Sequence, residues 1–380
     1  FLQFKCYKLA KHLKFYTKIG KNLSKTLLFG ALDWGLGHAT RSIPLLSYFH
    51  EKGWKIVIAA NEGPKKILQE AFPDAKIVEP PAYHIQYSQQ SSFFIFYLLL
   101  QVPKIKRVIA AEKRWVKGYV AEHPVDLILS DNRYGFYHAS IPSLILTHQL
   151  SPISGWGMMI DNIVRQLHYR LLKPFDRILV PDVQAAPGIA GRLSHPSALP
   201  PNTQYIGLLS RLTNVEQLQI DVPKLELLIV LSGPEPSRSI VEALIRKQIK
   251  DFKGKYILVQ GLPNGADKKE PHIIPYADPQ TLLALIQKAE LVICRSGYSS
   301  VMDLLALRKK AIFIPTPGQT EQLYLAAHLE KMGLFTSMQQ DEFHLEKAIE
   351  KAKAFQPPSI ENAFEQYKKV LEGLINEYKN

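Results

Sequence analysis

Short apolar runs alternate with amphipathic stretches along most of the chain. From Thr26 onward, apolar runs such as TLLFGA are followed by stretches in which apolar residues recur every three or four positions. Unbroken apolar runs are typical of strands buried on both faces, and the longer period is typical of helices. The pattern predicts parallel β-sheets with helices on both faces.

The predicted strands form two series. The first series is Thr26–Ala31, Lys55–Ala60, Lys76–Glu79, Leu127–Ser130, Ser143–Thr147 and Arg177–Val180. After a polar passage at residues 200–204, the second series is Leu227–Leu231, Tyr256–Gln260, Ile273–Ile274, Leu291–Cys294 and Ala311–Ile314. A chain of 380 residues is long enough for two buried cores. We therefore predict an α/β protein with two Rossmann-like domains.

The same pattern predicts the domain boundaries. We expect a basic N-terminal extension over residues 1–24, a first domain over 25–210, a linker over 211–223, a second domain over 224–357 and a C-terminal helix over 358–380.

The segment from Leu291 to Gly333 carries the most specific chemistry. A predicted strand ends in a turn containing Ser296 and Gly297, and a helix follows. A glycine turn that opens a helix leaves backbone N–H groups free beside the positive end of the helix dipole, which suits phosphate. Asp303 on that helix and Glu321-Gln322 at the start of the next one suit sugar hydroxyls. The segment predicts a sugar-nucleotide site.

This segment resembles the nucleotide-sugar half of the glycosyltransferases with two Rossmann-like domains, the GT-B architecture. It is most similar to family 28 and to the UDP-glucuronosyltransferase-like group. The resemblance implies two domains facing each other across a cleft, a donor in the second domain and a final helix that crosses back to the first. It also implies a diphosphate contact for Arg295, Ser296 and Gly297, a ribose contact for Asp303, and a hexose or ribose contact for Glu321 and Gln322.

A second glycine turn follows the first predicted strand, in the sequence ALDWGLGHATR. Gly35 and Gly37 permit close backbone approach at a helix N-terminus, although the pattern lacks the rest of a dinucleotide-binding fingerprint. His38 lies at the carboxyl end of a strand, where ligands of open α/β sheets bind, and imidazole can take a proton from an acceptor hydroxyl. The turn also resembles the opening loop of GT-B transferases, in which an equivalent histidine is often the base.

The residues of this turn have simpler interpretations as well. His38 would cap the helix or stack on Trp34. Arg41, one helical turn further on, binds phosphate or an acceptor anion in the functional interpretation and is a solvated helix charge in the other.

Polar residues also follow two neighbouring strands within residues 130–150. They are Asp131, Asn132 and Arg133 after one strand, and His148 and Gln149 after the next. Strand-end polar residues of such sheets commonly face the ligand cleft, so we expect acceptor binding here, with Asp131 orienting His38 or acting as the base itself. The alternative is local capping of the loops.

A third strand–glycine–helix passage, LSGPEPSR, opens the second half. Gly233 and Arg238 are expected to offset the charge of the departing diphosphate. Tyr276 falls where the resemblance places contacts to the nucleotide base.

The net charge of +13 is concentrated at one end, because residues 1–25 hold seven lysines and no acidic residue. A disordered or non-native extension explains this segment, and a membrane-surface anchor is the alternative. In SSFFIFYLLLQVPKIKR, residues 91–107, an apolar run precedes three cations, which indicates either peripheral membrane contact or a buried helix. No apolar run approaches the ~20 residues that span a bilayer.

Neither Asp-x-Asp nor Cys or His pairs with metal-ligand spacing occur, so no metal and no cofactor is predicted. Two distant cysteines predict a cytoplasmic protein.

We interpret the chain as a metal-independent, inverting glycosyltransferase that moves a hexosyl group from an NDP-sugar, most simply a UDP-sugar. The acceptor is a small molecule, a glycan or a lipid-linked sugar, and nucleic acid is not expected as a partner. A nucleotide-sugar hydrolase of the same architecture is the first alternative, because GLGHATR also resembles the loop of such hydrolases. An epimerase of related fold is another alternative. A non-catalytic basic module that binds membrane or nucleic acid is an alternative of a different class.

Overall fold

A computed structural model describes residues 24–84, 101–213, 220, 222–233, 235–262, 270, 272–356, 360 and 362–378. These residues form two α/β domains, each built on a single sheet in which all the paired strands are parallel. The predicted fold class is confirmed.

The first domain contains a seven-stranded sheet in the order β3-β2-β1-β4-β5-β6-β7. Its strands are β1 (Thr26–Ala31), β2 (Lys55–Ala59), β3 (Lys76–Val78), β4 (Leu127–Asp131), β5 (Ser143–Leu146), β6 (Arg177–Val180) and β7 (Thr203–Tyr205). Its helices are α1 (Gly37–Glu51), α2 (Glu62–Ala71), α3 (Val102–Glu122) and α4 (Met158–Leu172). Every residue of β1 and of β4 is buried, as expected for central strands covered on both faces.

The second domain contains a six-stranded sheet in the order β10-β9-β8-β11-β12-β13. Its strands are β8 (Leu225–Val230), β9 (Tyr256–Val259), β10 (Ile273–Ile274), β11 (Ala289–Cys294), β12 (Ala311–Phe313) and β13 (Thr336–Ser337). Its helices are α5 (Ser237–Gln248), α6 (Pro279–Lys288), α7 (Tyr298–Ala306), α8 (Thr320–Lys331) and α9 (Leu345–Lys353). The strand order reverses between β1 and β4 in one sheet and between β8 and β11 in the other, and ligands of open α/β sheets bind at such points.

The last helix, α10 (Gln366–Glu377), packs on the first domain. Its apolar face, which includes Tyr367 and Leu371, joins the core formed by β1, α1 and α2. Two segments of chain therefore connect the domains, and they touch where the Leu208 N–H donates to Ala363 O at 2.8 Å. Gly207 at this crossing has φ +79°, and a Cβ there would lie 2.3 Å from Ala363 O, so the crossing requires glycine.

The predicted strands are all present within two residues of their predicted ends, and two short strands were missed. Strand β7 has the sequence TQY and is partly exposed at the sheet edge, so it lacks an apolar signal. Strand β13 has only two residues. The last helix begins at Gln366, inside the predicted range of 358–380, after turn residues that include Asn362 with φ +65°. Residues 1–23 and 85–100, which include most of the predicted basic extension and of the predicted apolar membrane run, lie outside the described residues. None of the helices in the described part of the chain combines the length and apolar content needed to cross a bilayer.

Candidate functional site

The glycine turns of the two domains touch each other across the cleft. The Ser299 hydroxyl, in the first turn of α7, donates to Gly37 O at 3.0 Å. A Cβ at Gly37 would lie 3.0 Å from that hydroxyl, so glycine allows this close approach. The Tyr298 hydroxyl donates to Pro181 O, just after β6. The start of α7 is thus fixed against the carboxyl edge of the first sheet.

A buried carboxylate organises the first-domain side. Asp131, at the end of β4, is fully buried and lies 2.8 Å from His38 Nδ1. Arg41 Nε donates to its Oδ2 at 2.8 Å, a second guanidinium nitrogen contacts Oδ1, and the Ser42 hydroxyl donates at 2.9 Å. Burial alone would raise the pKa of Asp131, but Arg41 and His38 outweigh it and hold this pKa well below its ordinary value. The carboxylate is therefore ionised at neutral pH.

The ionised carboxylate determines which nitrogen of His38 carries the proton. An ionised carboxylate only accepts, so Nδ1 donates to Asp131, and in a neutral imidazole Nε2 is then the nitrogen with the lone pair. Among the residues that the structure describes, none forms a hydrogen bond with Nε2, and the side chain is 17% exposed. This is the arrangement of a general base oriented by an acid.

The network continues from Arg41 across the cleft. Arg41 Nη1 lies 2.9 Å from His148 Nδ1, and because a guanidinium only donates, Nδ1 of His148 accepts. Its Nε2–H therefore donates to Glu321 Oε1 at 2.8 Å, and the Gln149 amide donates to the other Glu321 oxygen. Burial, reinforced by Arg41 and His38, lowers the pKa of His148 despite Glu321, so His148 is neutral at pH 7. His148 also stacks on Tyr298, with ring centroids 4.1 Å apart.

His148 and Gln149, which are predicted to bind the acceptor, thus contact Glu321, which is predicted to bind the donor. Burial would raise the pKa of Glu321, but His148 and Arg41 lower it, so its carboxylate is ionised. The Glu321 side chain is 32% exposed and keeps further lone pairs on both oxygens, so a ligand hydroxyl can donate to it as well.

At the predicted phosphate turn, the side chains are hydrogen-bonded to neighbouring segments, so the turn offers backbone groups to a ligand. The Ser296 hydroxyl is buried and donates to Gln322 O at 2.8 Å. Gln322 in turn accepts from the Thr316 N–H at 2.9 Å. Arg295 donates to Ile314 O at 3.0 Å and to Ser237 O at 2.9 Å, and burial lowers its pKa to about 10. These side chains hold the loops in place.

The helix that follows this turn has no side-chain cap. Gly297 is the N-cap of α7, and no side chain accepts from the N–H groups of its first turn. Other helices of the described residues, such as α1 and α5, also lack one, whereas α6 is capped by Asp278, which accepts from Gln280 N and Thr281 N. The first turn of α7 therefore retains free donors and its dipole at the cleft.

Asp303 lies at the connection between the domains. The Ser210 hydroxyl donates to it at 2.6 Å, and Arg211 Nε lies 3.7 Å away. Burial raises the pKa of Asp303, and Arg211 and Ser210 oppose that effect. Its carboxylate is thus engaged by the residues that connect the domains.

The other glycines of the predicted donor site face open space. Gly35 has φ +87° and Gly233 has φ +101°, and a Cβ at either would meet no atom within 4 Å. Arg238, buried in α5, donates to Glu235 and Glu242 at 2.6 Å each. Tyr276 is half-buried after β10, where burial raises its pKa.

Arg133 and Asn132 differ in their access to the cleft. Arg133 is fully buried, pairs with Glu112 at 2.8 Å and donates to Ala31 O at 2.9 Å, so it has no surface to offer an acceptor. Asn132 has φ +55° and is 8% exposed, and its Oδ1 has no hydrogen-bond partner among the described residues. A buried polar atom without a partner is unusual, and a ligand would supply one.

Sequence reasoning missed several residues of this site. Trp34 Nε1 and Thr316 Oγ1 are buried and have no partner in the part of the chain that the structure describes. Both follow the carboxyl end of a strand, which was the available signal. Ser42 and Tyr298 were also missed; Ser42 lies one helical turn after His38, on the same face of α1.

The described residues contain no cluster of three His, Cys, Asp or Glu side chains that could hold a metal ion. Cys294 is a free, buried thiol whose pKa burial raises to about 12, so it is unreactive at neutral pH. Two surface pockets, of about 500 and 600 Å³, lie in the second domain beside Tyr256 and Phe252, and no predicted site residue lines them.

Comparison with known proteins finds a similarity to a known family in the second domain. Residues 238–374 match the glycosyltransferase family 28 C-terminal domain. The UDP-N-acetylglucosamine--N-acetylmuramyl-(pentapeptide) pyrophosphoryl-undecaprenol N-acetylglucosamine transferase of Sulfurihydrogenibium sp. is 27% identical over 165 residues, which is 40% of this chain and 47% of that protein. The chain thus spans about half the length of this relative.

Two further similarities extend over both domains. An uncharacterized glycosyltransferase of Methanopyrus kandleri is 23% identical over 357 residues, which covers 86% of this chain and 94% of that protein. The crystal structure of the glycotransferase of kitacinnamycin superposes with a TM-score of 0.61 at 15% identity, covering 94% of this chain and 95% of that one. The chain has the GT-B fold and resembles family 28.

Proposed function

We propose that this GT-B protein, whose second domain resembles glycosyltransferase family 28, transfers a hexosyl group from a UDP-sugar to an acceptor hydroxyl in the interdomain cleft. One observation carries the proposal. The His38–Asp131 pair and the uncapped first turn of α7 lie on opposite sides of the cleft, joined by the hydrogen bond from Ser299 to Gly37. This contact supports the proposal, because it brings the candidate base and the candidate phosphate-binding turn next to each other.

The proposed reaction is a single inverting displacement. The acceptor oxygen attacks the anomeric carbon while His38 Nε2 takes the acceptor proton, and the bond from that carbon to the diphosphate oxygen breaks. The electron pair leaves with UDP, and Asp131 stabilises the imidazolium. The α7 N–H groups, with the turns at Gly233 and Gly297, stabilise the charge of the departing diphosphate. This scheme requires no metal or other cofactor.

The donor and acceptor contacts are also proposals. Glu321 and Gln322 would bind the hexose and Tyr276 the base, while Arg41, Asn132, His148 and Gln149 would bind the acceptor. Arg133 is left out of this set because it is fully buried against Glu112 and Ala31, whereas Arg41 is hydrogen-bonded to Asp131 and His148 at the cleft. Asp303 would reach the ribose only by exchanging its hydrogen bond from Ser210.

Nucleotide binding is tested first, by thermal-shift measurements with UDP, UDP-sugars and other nucleoside diphosphates. A ligand that binds only the folded protein stabilises it by RT ln(1 + [L]/Kd). We expect Asp303→Asn to reduce the shift with UDP. Ser210→Ala is the matched control, because it removes the competing hydrogen bond and leaves the carboxylate, so the UDP shift should be kept or increased. The absence of any nucleotide shift in the native protein would refute the proposal and favour the non-catalytic alternative.

The second experiment separates transfer from hydrolysis and epimerisation. Purified protein is incubated with the stabilising UDP-sugar in the absence of an acceptor, and free sugar, UDP and sugar isomers are measured. Slow release of free sugar is expected for a transferase. Rapid stoichiometric release would identify a hydrolase, and a changed sugar isomer would identify an epimerase.

A further inference from the structure

A continuous series of hydrogen-bonded side chains, which we call the cross-cleft network, runs from His38 to the second domain. Asp131 links His38 to Arg41, and Arg41 Nη1 lies 2.9 Å from His148 Nδ1. His148 Nε2 lies 2.8 Å from Oε1 of Glu321, which belongs to α8 of the other domain. The three inner members are at most 4% exposed, so the middle of the network is shielded from solvent.

The donor and the acceptor of each bond in this network are fixed by chemistry. The guanidinium of Arg41 only donates, so His148 accepts with Nδ1 and donates with Nε2. Glu321 supplies the acceptor for that N–H. If Glu321 moved away with its domain, His148 would lose the partner that keeps the proton on Nε2, and Arg41 would lose its fixed acceptor. The second domain therefore determines how Arg41 is held against Asp131.

Contacts beside the network hold Glu321 in this place. His148 stacks on Tyr298 of α7, with ring planes 2° apart. On α8 itself, the Thr320 hydroxyl donates to Ile153 O of the first domain at 2.7 Å. Glu321 reaches His148 only because the two domains are in contact here.

The charges of the network favour a proton on His38. Arg41 is cationic, whereas Asp131 and Glu321 are ionised, so one negative charge is in excess while both imidazoles are neutral. A proton taken by His38 neutralises this excess. Without Glu321, the same proton would create a net positive charge beside a buried guanidinium, which is costly in surroundings of low dielectric constant.

The other titratable groups that face Arg41 do not change this balance. Burial raises the pKa of Tyr298 on α7 and of Tyr134 after β4, so both phenols are neutral. Burial lowers the pKa of His148, which is neutral as well. The ionised members of the network are thus its two carboxylates and its guanidinium.

We propose that Glu321 acts across the cleft, through His148 and Arg41, on the His–Asp pair of the first domain, so that the base is complete only when the domains are in contact. All three are positioning residues in this role, since they act on the reacting proton through His38. The inference rests on the proposed function for its consequence, which is that displacement in an open cleft would lack an effective base. It gives Glu321 a role in addition to contact with the hexose.

The rate test is acceptor-free release of UDP from the UDP-hexose that stabilises the native protein most, because His38 then takes its proton from water. Glu321→Gln keeps the size of the side chain and removes its charge. We expect kcat to fall about tenfold and the acid limb of its pH profile to move to lower pH by about one unit, as for one charge at an effective dielectric constant of about 20. Thr320→Val is the matched control: it removes the neighbouring hydrogen bond to Ile153 without changing a charge, so its pH profile should be that of the native protein.

A break inside the network provides a second variant. His148→Phe keeps an aromatic ring against Tyr298 but can neither accept from Arg41 nor donate to Glu321. We expect kcat to fall about fivefold or more, with little change in KM for the donor. His148→Gln, whose amide can both accept and donate, should recover part of this loss.

A readout without turnover separates this inference from the proposed reaction. Protonation of His38 in the ligand-free protein is followed by ¹⁵N NMR of labelled histidines, with His38→Gln to assign the signals. We expect the same difference of about one pH unit between the native protein and Glu321→Gln.

Two results would overturn the inference. One is an unshifted protonation of His38 in Glu321→Gln together with an unchanged acid limb of the rate profile. The other is a Glu321→Gln variant that only raises KM for the donor, which would leave Glu321 as a hexose ligand alone. A native protein that releases no UDP would instead refute the proposed reaction, and the NMR comparison would still decide whether Glu321 acts on His38.

Discussion

The buried pair of Glu112 and Arg133 can be used to test whether Arg133 stabilises the fold or binds the acceptor. Both side chains are fully buried, and they lie 2.8 Å apart. Glu112 also accepts from the Tyr83 hydroxyl at 2.8 Å and from the Gly135 N–H at 3.0 Å. Glu112→Ala would leave a buried guanidinium and two further donors without this acceptor. Removing one partner of a buried ion pair costs about 3–5 kcal/mol, and we expect the free energy of unfolding to fall by that amount.

The assay is urea denaturation of both single variants, Arg133→Ala and Glu112→Ala, and of the double variant Glu112→Met/Arg133→Met. The double variant should recover much of the loss, since paired apolar replacements leave no uncompensated charge. Glu79→Ala is the matched control: its pair with Lys65 is exposed, so this variant should unfold at nearly the same urea concentration as the native chain. If Arg133→Ala were as stable as the native chain and yet inactive, Arg133 would be an acceptor residue and our reasoning would be wrong.

Three further predictions concern the cleft and its pH dependence. His38→Gln should lower the transfer rate about 10²–10⁴-fold, because its amide can still donate to Asp131 but cannot take a proton; initial rates of UDP release measure this. Ser299→Ala should weaken closure of the cleft and raise KM for the donor about fivefold, as expected for about 1 kcal/mol from one hydrogen bond. Burial lowers the pKa of His168 to about 4, below an unfolded value near 6.5, so stability should fall by about 3 kcal/mol as the pH falls from 6.5 to 4, and His168→Gln should flatten that dependence in pH-dependent denaturation.

Each of these has a control or a contradicting result. His50→Gln, an exposed histidine on the same helix as His38, should keep the native rate. An unchanged rate in His38→Gln would remove it as the base. An unchanged donor KM in Ser299→Ala would show that the turns do not need to touch for donor binding. An equally steep pH dependence in His168→Gln would assign the acid loss of stability to other groups.

The sheets and their order of elements could be predicted from sequence because apolar runs of buried strands leave a strong local signal. Residues such as Leu27, Phe29 and Leu129 are fully buried in strands with no polar alternation. Strand β7, at the sheet edge, has no such signal, since its side chains are only partly buried. Strand-end glycines likewise marked the turns that meet in the cleft.

Side-chain direction at the strand ends could not be predicted in the same way. Asp131 and Arg133 are two positions apart, yet one joins His38 while the other turns inward to Glu112 on α3. Glu112 lies about 20 residues earlier, in a helix whose packing partners cannot be read from the local sequence pattern. Asp303 faces Ser210 because the chain crosses between the domains there. Such pairings depend on long-range geometry, which a local pattern does not contain.

The return of α10 to the first domain has a consequence for biosynthesis. Domains near the start of a chain commonly fold while the ribosome is still translating the remainder. Here the residues Tyr367, Leu371 and Leu374 complete the earlier domain's interior, so that interior stays open until these residues have emerged as well. We expect nascent chains arrested before Gln366 to be protease-sensitive in their first domain, and chains extended past this helix to become resistant there.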